Sequence, residues 1–65
     1  MGVDQFLKGV DPNIRRLAEG IRQMIRRAAP EMQEFVERGA PTYVVNGKNV
    51  VCIMMYKDHV NLEFF

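Results

Sequence analysis

Apolar residues along this chain follow first a helical period and then a strand period. From Pro12 to about Ala28 they recur at steps of three and four residues, which predicts an amphipathic helix. Asp11 offers an N-cap acceptor, and Pro12 occupies the first helical position, where its missing N–H costs nothing. A shorter helical turn is predicted over residues 3–10, ahead of this helix. The apolar stripe of the main helix consists of Ile14, Leu17, Ala18, Ile21, Met24, Ile25 and Ala28.

A third helical segment is predicted over residues 30–38. Pro30 ends the preceding helix and can begin the next one, and Gly39 fits a left-handed residue at the C-terminus of that helix. Glutamates recur every three residues on its solvent side and form an acidic ridge. The ridge consists of Glu31, Glu34 and Glu37.

Strand signals begin after residue 41. Asn46-Gly47 separates two β-rich runs, Thr42–Val45 and Lys48–Tyr56, and favours a two-residue type I′ hairpin because both turn residues need positive φ. The second run is apolar on both faces, which indicates a strand covered on both sides, and Val60–Phe64 alternates like a half-buried strand. We therefore predict an α+β fold in one domain, with two to three N-terminal helices followed by a three-stranded antiparallel β-meander.

The small size of the chain favours a fold that is completed by a partner chain. A chain of 65 residues buries only about 60% of the surface that its unfolded form exposes. The helices can cover one face of a three-stranded sheet, so the other face and the last edge strand need another cover. We predict that a homodimer or higher homo-oligomer completes the fold across a symmetry axis. The predicted interface residues are Val51, Ile53, Met55, Val60, Leu62, Phe64 and Phe65.

Composition narrows the classes of function. The single cysteine, Cys52, excludes an internal disulfide and lies in an apolar run, as expected of a small core residue. With one histidine, one cysteine and no serine, nucleophilic triads are nearly excluded, so we predict no catalytic residue and no enzyme. A secretory signal is not recognisable, and no apolar run approaches the ~20 residues of a membrane span, so we expect a cytoplasmic protein without a membrane partner.

Arginines lie opposite the apolar stripe of the main helix. They suggest phosphate contacts whose strength would depend on salt. A net charge of +1, the interruption by Glu19 and the lack of an aromatic residue for base stacking on that face argue against a nucleic-acid partner, which stays a third hypothesis. The candidate anion-binding residues are Arg15, Arg22, Arg26 and Arg27.

Three segments together resemble a known family. They are Gly39-Ala40-Pro41-Thr42-Tyr43, Asn46-Gly47-Lys48 and Tyr56-Lys57-Asp58-His59-Val60-Asn61-Leu62-Glu63-Phe64. With the proline-started helix they resemble the YdhG-like domains of unknown function, small bacterial proteins related in architecture to frataxin. The resemblance covers nearly the whole chain and corresponds to the N-terminal half of family members. It implies an α+β sheet domain and, more weakly, iron handling.

Iron binding is accordingly the second hypothesis. The three ridge glutamates could offer carboxylate ligands to a hard cation such as iron, and Asp58 and His59 could add a carboxylate and an imidazole. Exposed glutamates are also an ordinary solvated surface, and His59 fits a turn residue. The first hypothesis is a self-associating binding or scaffold module that needs no cofactor and has itself as its partner.

Overall fold

The structure, a computed structural model, describes residues 2–65 as two helices followed by four strands. The elements are α1 (Val3–Lys8), α2 (Pro12–Ala28), β1 (Gln33–Glu37), β2 (Ala40–Val45), β3 (Lys48–Met55) and β4 (Val60–Phe64). The strands form one antiparallel sheet in the order β1-β2-β3-β4. The predicted α+β class and the meander are confirmed, but the meander has four strands rather than three.

Helix α2 begins and ends where its sequence predicts. The Asp11 Oδ1 atom accepts hydrogen bonds from the backbone N–H groups of Asn13 at 2.9 Å and Ile14 at 3.4 Å, which caps the first turn. Arg26 and Arg27 occupy the last turn, where positive charge suits the helix dipole. Neither helix of residues 2–65 has the length and apolar content that crossing a bilayer requires.

The prediction of a third helix over residues 30–38 is wrong, because this segment forms β1. It pairs with β2 from Gln33 opposite Val44 to Glu37 opposite Ala40. Gly39 does adopt a left-handed conformation, with φ of 75°, but as the second residue of a hairpin turn rather than after a helix. Glutamate and glutamine have good helix propensity, yet tertiary pairing overrides this weak local preference.

Two tight turns frame β2, and both have positive φ at their two central residues. Asn46 and Gly47 have φ of 51° and 77°, which confirms the predicted hairpin. Arg38 and Gly39 have φ of 53° and 75° in the turn between β1 and β2. Left-handed backbone costs a residue with a Cβ roughly 1–2 kcal/mol, and arginine lacks the short polar side chain that lets asparagine offset it. Arg38 is therefore a strained choice for its turn.

Both helices pack on one face of the sheet. Val3 and Leu7 of α1 and Ala18 of α2 form a buried cluster with Tyr43, Val51 and Ile53 of the central strands. The apolar stripe of α2 extends beyond the part of the helix that is buried against the sheet. Ile14 and Ala18 are buried, whereas Leu17 and Met24 are 49% and 67% exposed.

Strand β3 therefore has helix cover on one side only. Val51, Ile53 and Met55 face the helices, whereas Cys52 and Met54 face the opposite side, which we call the open face. The strand was predicted to be covered on both sides. Within residues 2–65, the helices cover only one of its two sides.

Candidate functional site

The most completely bonded polar cluster surrounds Arg22, whose side chain is only 7% exposed. Its guanidinium donates two parallel hydrogen bonds to the Glu34 carboxylate, from Nε at 2.7 Å and from Nη2 at 2.9 Å. Its Nη1 donates to Asp4 Oδ1 at 2.6 Å. The Tyr43 hydroxyl completes the cluster by donating to Glu34 Oε2 at 2.6 Å. We call these four residues the Arg22 network.

Burial and hydrogen bonding shift the pKa values of the two carboxyl groups and the phenol of the network. For Glu34, burial alone would raise the pKa, but the hydrogen bonds from Arg22 and Tyr43 outweigh it and hold the pKa below its usual range. The hydrogen bond from Arg22 also lowers the pKa of the Asp4 carboxyl. Burial and the bond to Glu34 raise the pKa of the Tyr43 hydroxyl. At neutral pH the network therefore holds two carboxylates, a guanidinium and a protonated phenol.

This network is a clamp between elements. Asp4 belongs to α1, Arg22 to α2, Glu34 to β1 and Tyr43 to β2, so the guanidinium joins α1, α2 and β1, and the Glu34 carboxylate links them to β2. Bidentate arginine–carboxylate geometry is among the strongest and most directional of protein hydrogen bonds. With its donors engaged this way, Arg22 is poorly available for an external phosphate.

The predicted arginine face is consequently divided. Arg22, one of the four candidate anion-binding residues, is buried in the network with its guanidinium bonded to carboxylates. Arg26 and Arg27 stay exposed at the end of α2, and Arg15 is half-buried with its guanidinium 3.5 Å from the Lys8 carbonyl. Nucleic-acid binding through the remaining arginines stays a prediction.

The predicted acidic ridge is not a helical ridge. Glu31 lies in the turn before β1, and Glu34 and Glu37 lie on opposite faces of that strand. Glu34 is held by Arg22, whereas Glu37 accepts a 2.9 Å hydrogen bond from the Asn49 side chain. Within residues 2–65, no group of three His, Cys, Asp or Glu side chains is arranged to hold a metal ion.

Asp58 and His59 lie in the turn between β3 and β4, as the sequence predicts. The Asp58 carboxylate lies 2.7 Å from His59 Nδ1, and this contact lowers the pKa of the aspartate. The His59 ring stacks on Tyr56 with 4.6 Å between ring centroids, and the Tyr56 hydroxyl donates to Glu63 at 3.0 Å. These bonds order an exposed turn. Iron binding stays a prediction, with only these two of its candidates adjacent.

The predicted interface residues fall into two groups. Val51 and Ile53 are buried under the helices, so they pack in the protein's own core and are not accessible to a partner. Met55 and Val60 are half-buried against the same core. The exposed members lie at the end of the chain. They are Leu62 at 41%, Phe64 at 75% and Phe65 at 71% exposure.

Leu62 and Phe64 lie on the side of the sheet that also carries α2. Both pair with helix-facing residues of β3, namely Ile53 and Val51, so their side chains point to the helix-bearing face. Because Arg22 reaches toward β1, the opposite flank of α2 points toward β4 at the other edge. That flank carries Leu17 and Met24. We call Leu17, Met24, Leu62 and Phe64 the β4 edge patch.

A concave region occupies the open face. Its floor consists of Ala40, Thr42 and Cys52, and Met54 and Phe65 form apolar walls around a volume of about 480 Å³. Its remaining lining residues are Glu37, Arg38 and Asn49. We call this region the open-face trough. Burial and the nearby charge of Glu63 raise the pKa of the Cys52 thiol.

Sequence reasoning placed Cys52 in a packed core and did not identify the trough. One signal was available, since Ala40, Thr42 and Cys52 are small residues on alternate positions of neighbouring strands. Small side chains at such positions leave a hollow between larger neighbours. For Asp4 and Tyr43 in the Arg22 network, the sequence offers no comparable signal.

No known protein family, curated protein or solved structure matches this chain. The resemblance to the YdhG-like domains therefore stays a prediction.

Proposed function

We propose that this protein is a self-associating binding or scaffold module, and that two copies join through their β4 strands. One observation carries the proposal. Among residues 2–65 no strand pairs with the outer side of β4, and this edge combines its outward backbone groups with the exposed apolar side chains of the β4 edge patch.

The backbone of β4 is suited to strand pairing. In antiparallel sheets, alternate residues direct their N–H and C=O groups to the same neighbour. The hydrogen bonds from Tyr56 N–H to the His59 carbonyl and from Phe65 N–H to the Val50 carbonyl set this alternation. Residues 60, 62 and 64 therefore direct their backbone groups away from β3, where a second β4 strand can bond to them.

The two sheet edges differ in protection. An inward-pointing charged side chain is one way in which proteins protect an edge strand from pairing. On β1, Glu34 points toward the helices and is held there by Arg22. On β4, the side chains that point the same way are Val60, Leu62 and Phe64, all of them apolar. Self-association through β4 is therefore favoured over self-association through β1.

A two-fold axis near Leu62 would bring the two copies of the β4 edge patch together. Each copy would then bury Leu62 and Phe64 beside the Leu17 and Met24 side chains of α2. Burial of apolar area contributes about 25 cal/mol per Å², and paired strands add backbone hydrogen bonds. An isologous contact of this kind closes as a dimer.

The test is the solution mass over a dilution series from roughly 1 µM to 1 mM, a range that brackets weak and moderate affinities. We expect a concentration-dependent dimer that Leu62→Lys converts to a folded monomer, because the lysine places a charge at the pairing axis. Phe35→Lys is the matched control, since Phe35 is also an exposed strand residue, at 52%, but lies on β1.

Two results would overturn the proposal. One is a monomer at every concentration. The other is a dimer that Phe35→Lys dissociates and Leu62→Lys does not, which would place the contact on the open face or at β1. Circular dichroism of each variant checks that a loss of dimer is not a loss of fold.

A further inference from the structure

We infer that the open-face trough is a binding site for an apolar α-amino acid. This inference is independent of self-association through β4, because the trough lies on the face of the sheet opposite the β4 edge patch.

The trough has the form of a small-ligand site. Its volume of about 480 Å³ falls within the range typical of such sites, roughly 300–1,000 Å³. Ala40, Thr42 and Cys52 of its floor are at most 8% exposed although both helices pack on the other face. The Thr42 hydroxyl donates to the Ala40 carbonyl at 3.1 Å, so the floor needs no polar partner from a ligand. An apolar group therefore suits it.

The lining of the trough carries two opposite charges on consecutive residues. Glu37 and Arg38 both line it, and the Asn49 amide donates to Glu37 Oε2 at 2.9 Å and fixes that carboxylate. A carboxylate ligand alone would meet the repulsion of Glu37, and an amine alone would meet that of Arg38. A head group with both an ammonium and a carboxylate satisfies the two residues together, which is the head group of an α-amino acid.

The backbone at Arg38 is a second observation. Arg38 occupies the left-handed position that Asn46 occupies in the other tight turn, at nearly the same φ. Asparagine and glycine are the residues that suit this position, so arginine occupies it at a conformational cost. Strained residues concentrate at ligand sites, and here the strained residue is one of those that line the trough.

The matching ligand thus has an apolar side chain against Cys52, Met54 and Phe65, and a zwitterionic head at Glu37 and Arg38. Its carboxylate accepts hydrogen bonds from the arginine, and its ammonium donates to the glutamate. Apolar amino acids with a side chain the size of leucine or phenylalanine combine both features.

The test is a titration of the ¹⁵N-labelled full chain with L-phenylalanine, followed by amide chemical shifts. We expect saturable shifts confined to the trough residues. 3-Phenylpropionate lacks the ammonium and phenethylamine lacks the carboxylate, so both should bind more weakly than phenylalanine.

Arg38→Asn is the decisive variant, because asparagine accepts the left-handed backbone while the guanidinium is lost. It should weaken phenylalanine binding about tenfold, as expected for the loss of a charge-assisted hydrogen bond, and leave phenethylamine binding no weaker. Glu37→Gln should show the complementary pattern, weakening phenylalanine and phenethylamine but not 3-phenylpropionate.

The inference is overturned if phenylalanine causes no saturable shifts. It is equally overturned if the three probes bind with the same affinity, or if Arg38→Asn leaves phenylalanine binding unchanged, since the trough would then be an unselective apolar surface.

Discussion

At the β1 edge of the sheet, Glu34 is bonded to a guanidinium and a phenol, so that its carboxylate links β1 to α2 and β2. At the β4 edge, the equivalent inward positions carry Leu62 and Phe64, which stay 41% and 75% exposed. The same helix serves both edges. Its Arg22 side chain is hydrogen-bonded to Glu34 at the β1 edge. On the flank toward β4, its Leu17 and Met24 side chains stay exposed.

The contacts at the β1 edge hold the protomer together, whereas the exposed side chains at the β4 edge are available to a partner. Buried charge needs a complete set of partners within the chain, because an unpaired charge is costly there. Exposed apolar side chains impose no such requirement and retain surface area for association. We therefore expect variants at the β1 edge to change the free energy of unfolding, and variants at the β4 edge to change association.

Among variants at the two sheet edges, the largest effect is expected from Arg22→Met, which keeps an unbranched side chain about as long as the aliphatic part of arginine but leaves Glu34 without its cation. Because the Glu34 side chain is only 18% exposed, we expect a loss of about 2–4 kcal/mol in the free energy of unfolding. Urea denaturation measures it. Arg26→Met, at an exposed position of the same helix, should cost no more than about 0.5 kcal/mol. Equal losses in the two variants would mean that the Arg22 network does not stabilise the fold.

Lowering the pH should reduce the stability that the β1 edge contributes to the fold. The folded pKa of Glu34 lies below its ordinary value of 4.5, so this carboxylate contributes stability that is present above that pH and is lost as pH falls through the lowered folded pKa. We expect the urea midpoint of the protein to drop below about pH 4.5.

Glu34→Gln should lower the midpoint at neutral pH and flatten that acid-side drop, because the titrating group is removed. Glu31→Gln, in the exposed turn before β1, is the control and should leave the pH profile unchanged. An acid-side drop of full size in Glu34→Gln would assign the pH dependence to other carboxylates, such as Asp4.

The smallest change in protomer stability is expected at the β4 edge. Leu62 and Ile53 are directly paired residues on the same face of neighbouring strands, one 41% exposed and the other fully buried. At concentrations low enough to keep the protein monomeric, Leu62→Ala should cost less than about 1 kcal/mol, whereas Ile53→Ala should cost about 2–5 kcal/mol. Thermal unfolding of both variants provides the comparison. Similar losses would show that Leu62 belongs to the protomer core.

Local chemistry was enough to predict several elements. Asp11 and Pro12 specify the start of α2, and Asn46-Gly47 specifies a hairpin, because each acts through backbone geometry within a few residues. Gly39 was correctly expected to adopt positive φ, but a left-handed glycine serves a helix end and a tight turn equally well. That ambiguity led to the helix predicted where β1 lies.

The candidate sites were less accessible to sequence reasoning. Three glutamates at helical spacing suggested one ridge, and the change to strand spacing divided them between two faces. Arg22 looked like any other member of an arginine face until its partners at Asp4 and Glu34 were located. Both errors concern contacts between residues far apart in the chain, which spacing does not encode.

The sequence by itself determined the extent of α2, the strands that follow residue 41 and the Asn46-Gly47 turn, because propensities, caps and turns act over a few neighbouring residues. Only the tertiary structure decided that residues 33–37 form a strand, that Arg22 is buried and that Leu62 and Phe64 are exposed. Those outcomes depend on which face of the sheet the helices cover and on partners elsewhere in the chain, and burial is a property of the packed molecule as a whole.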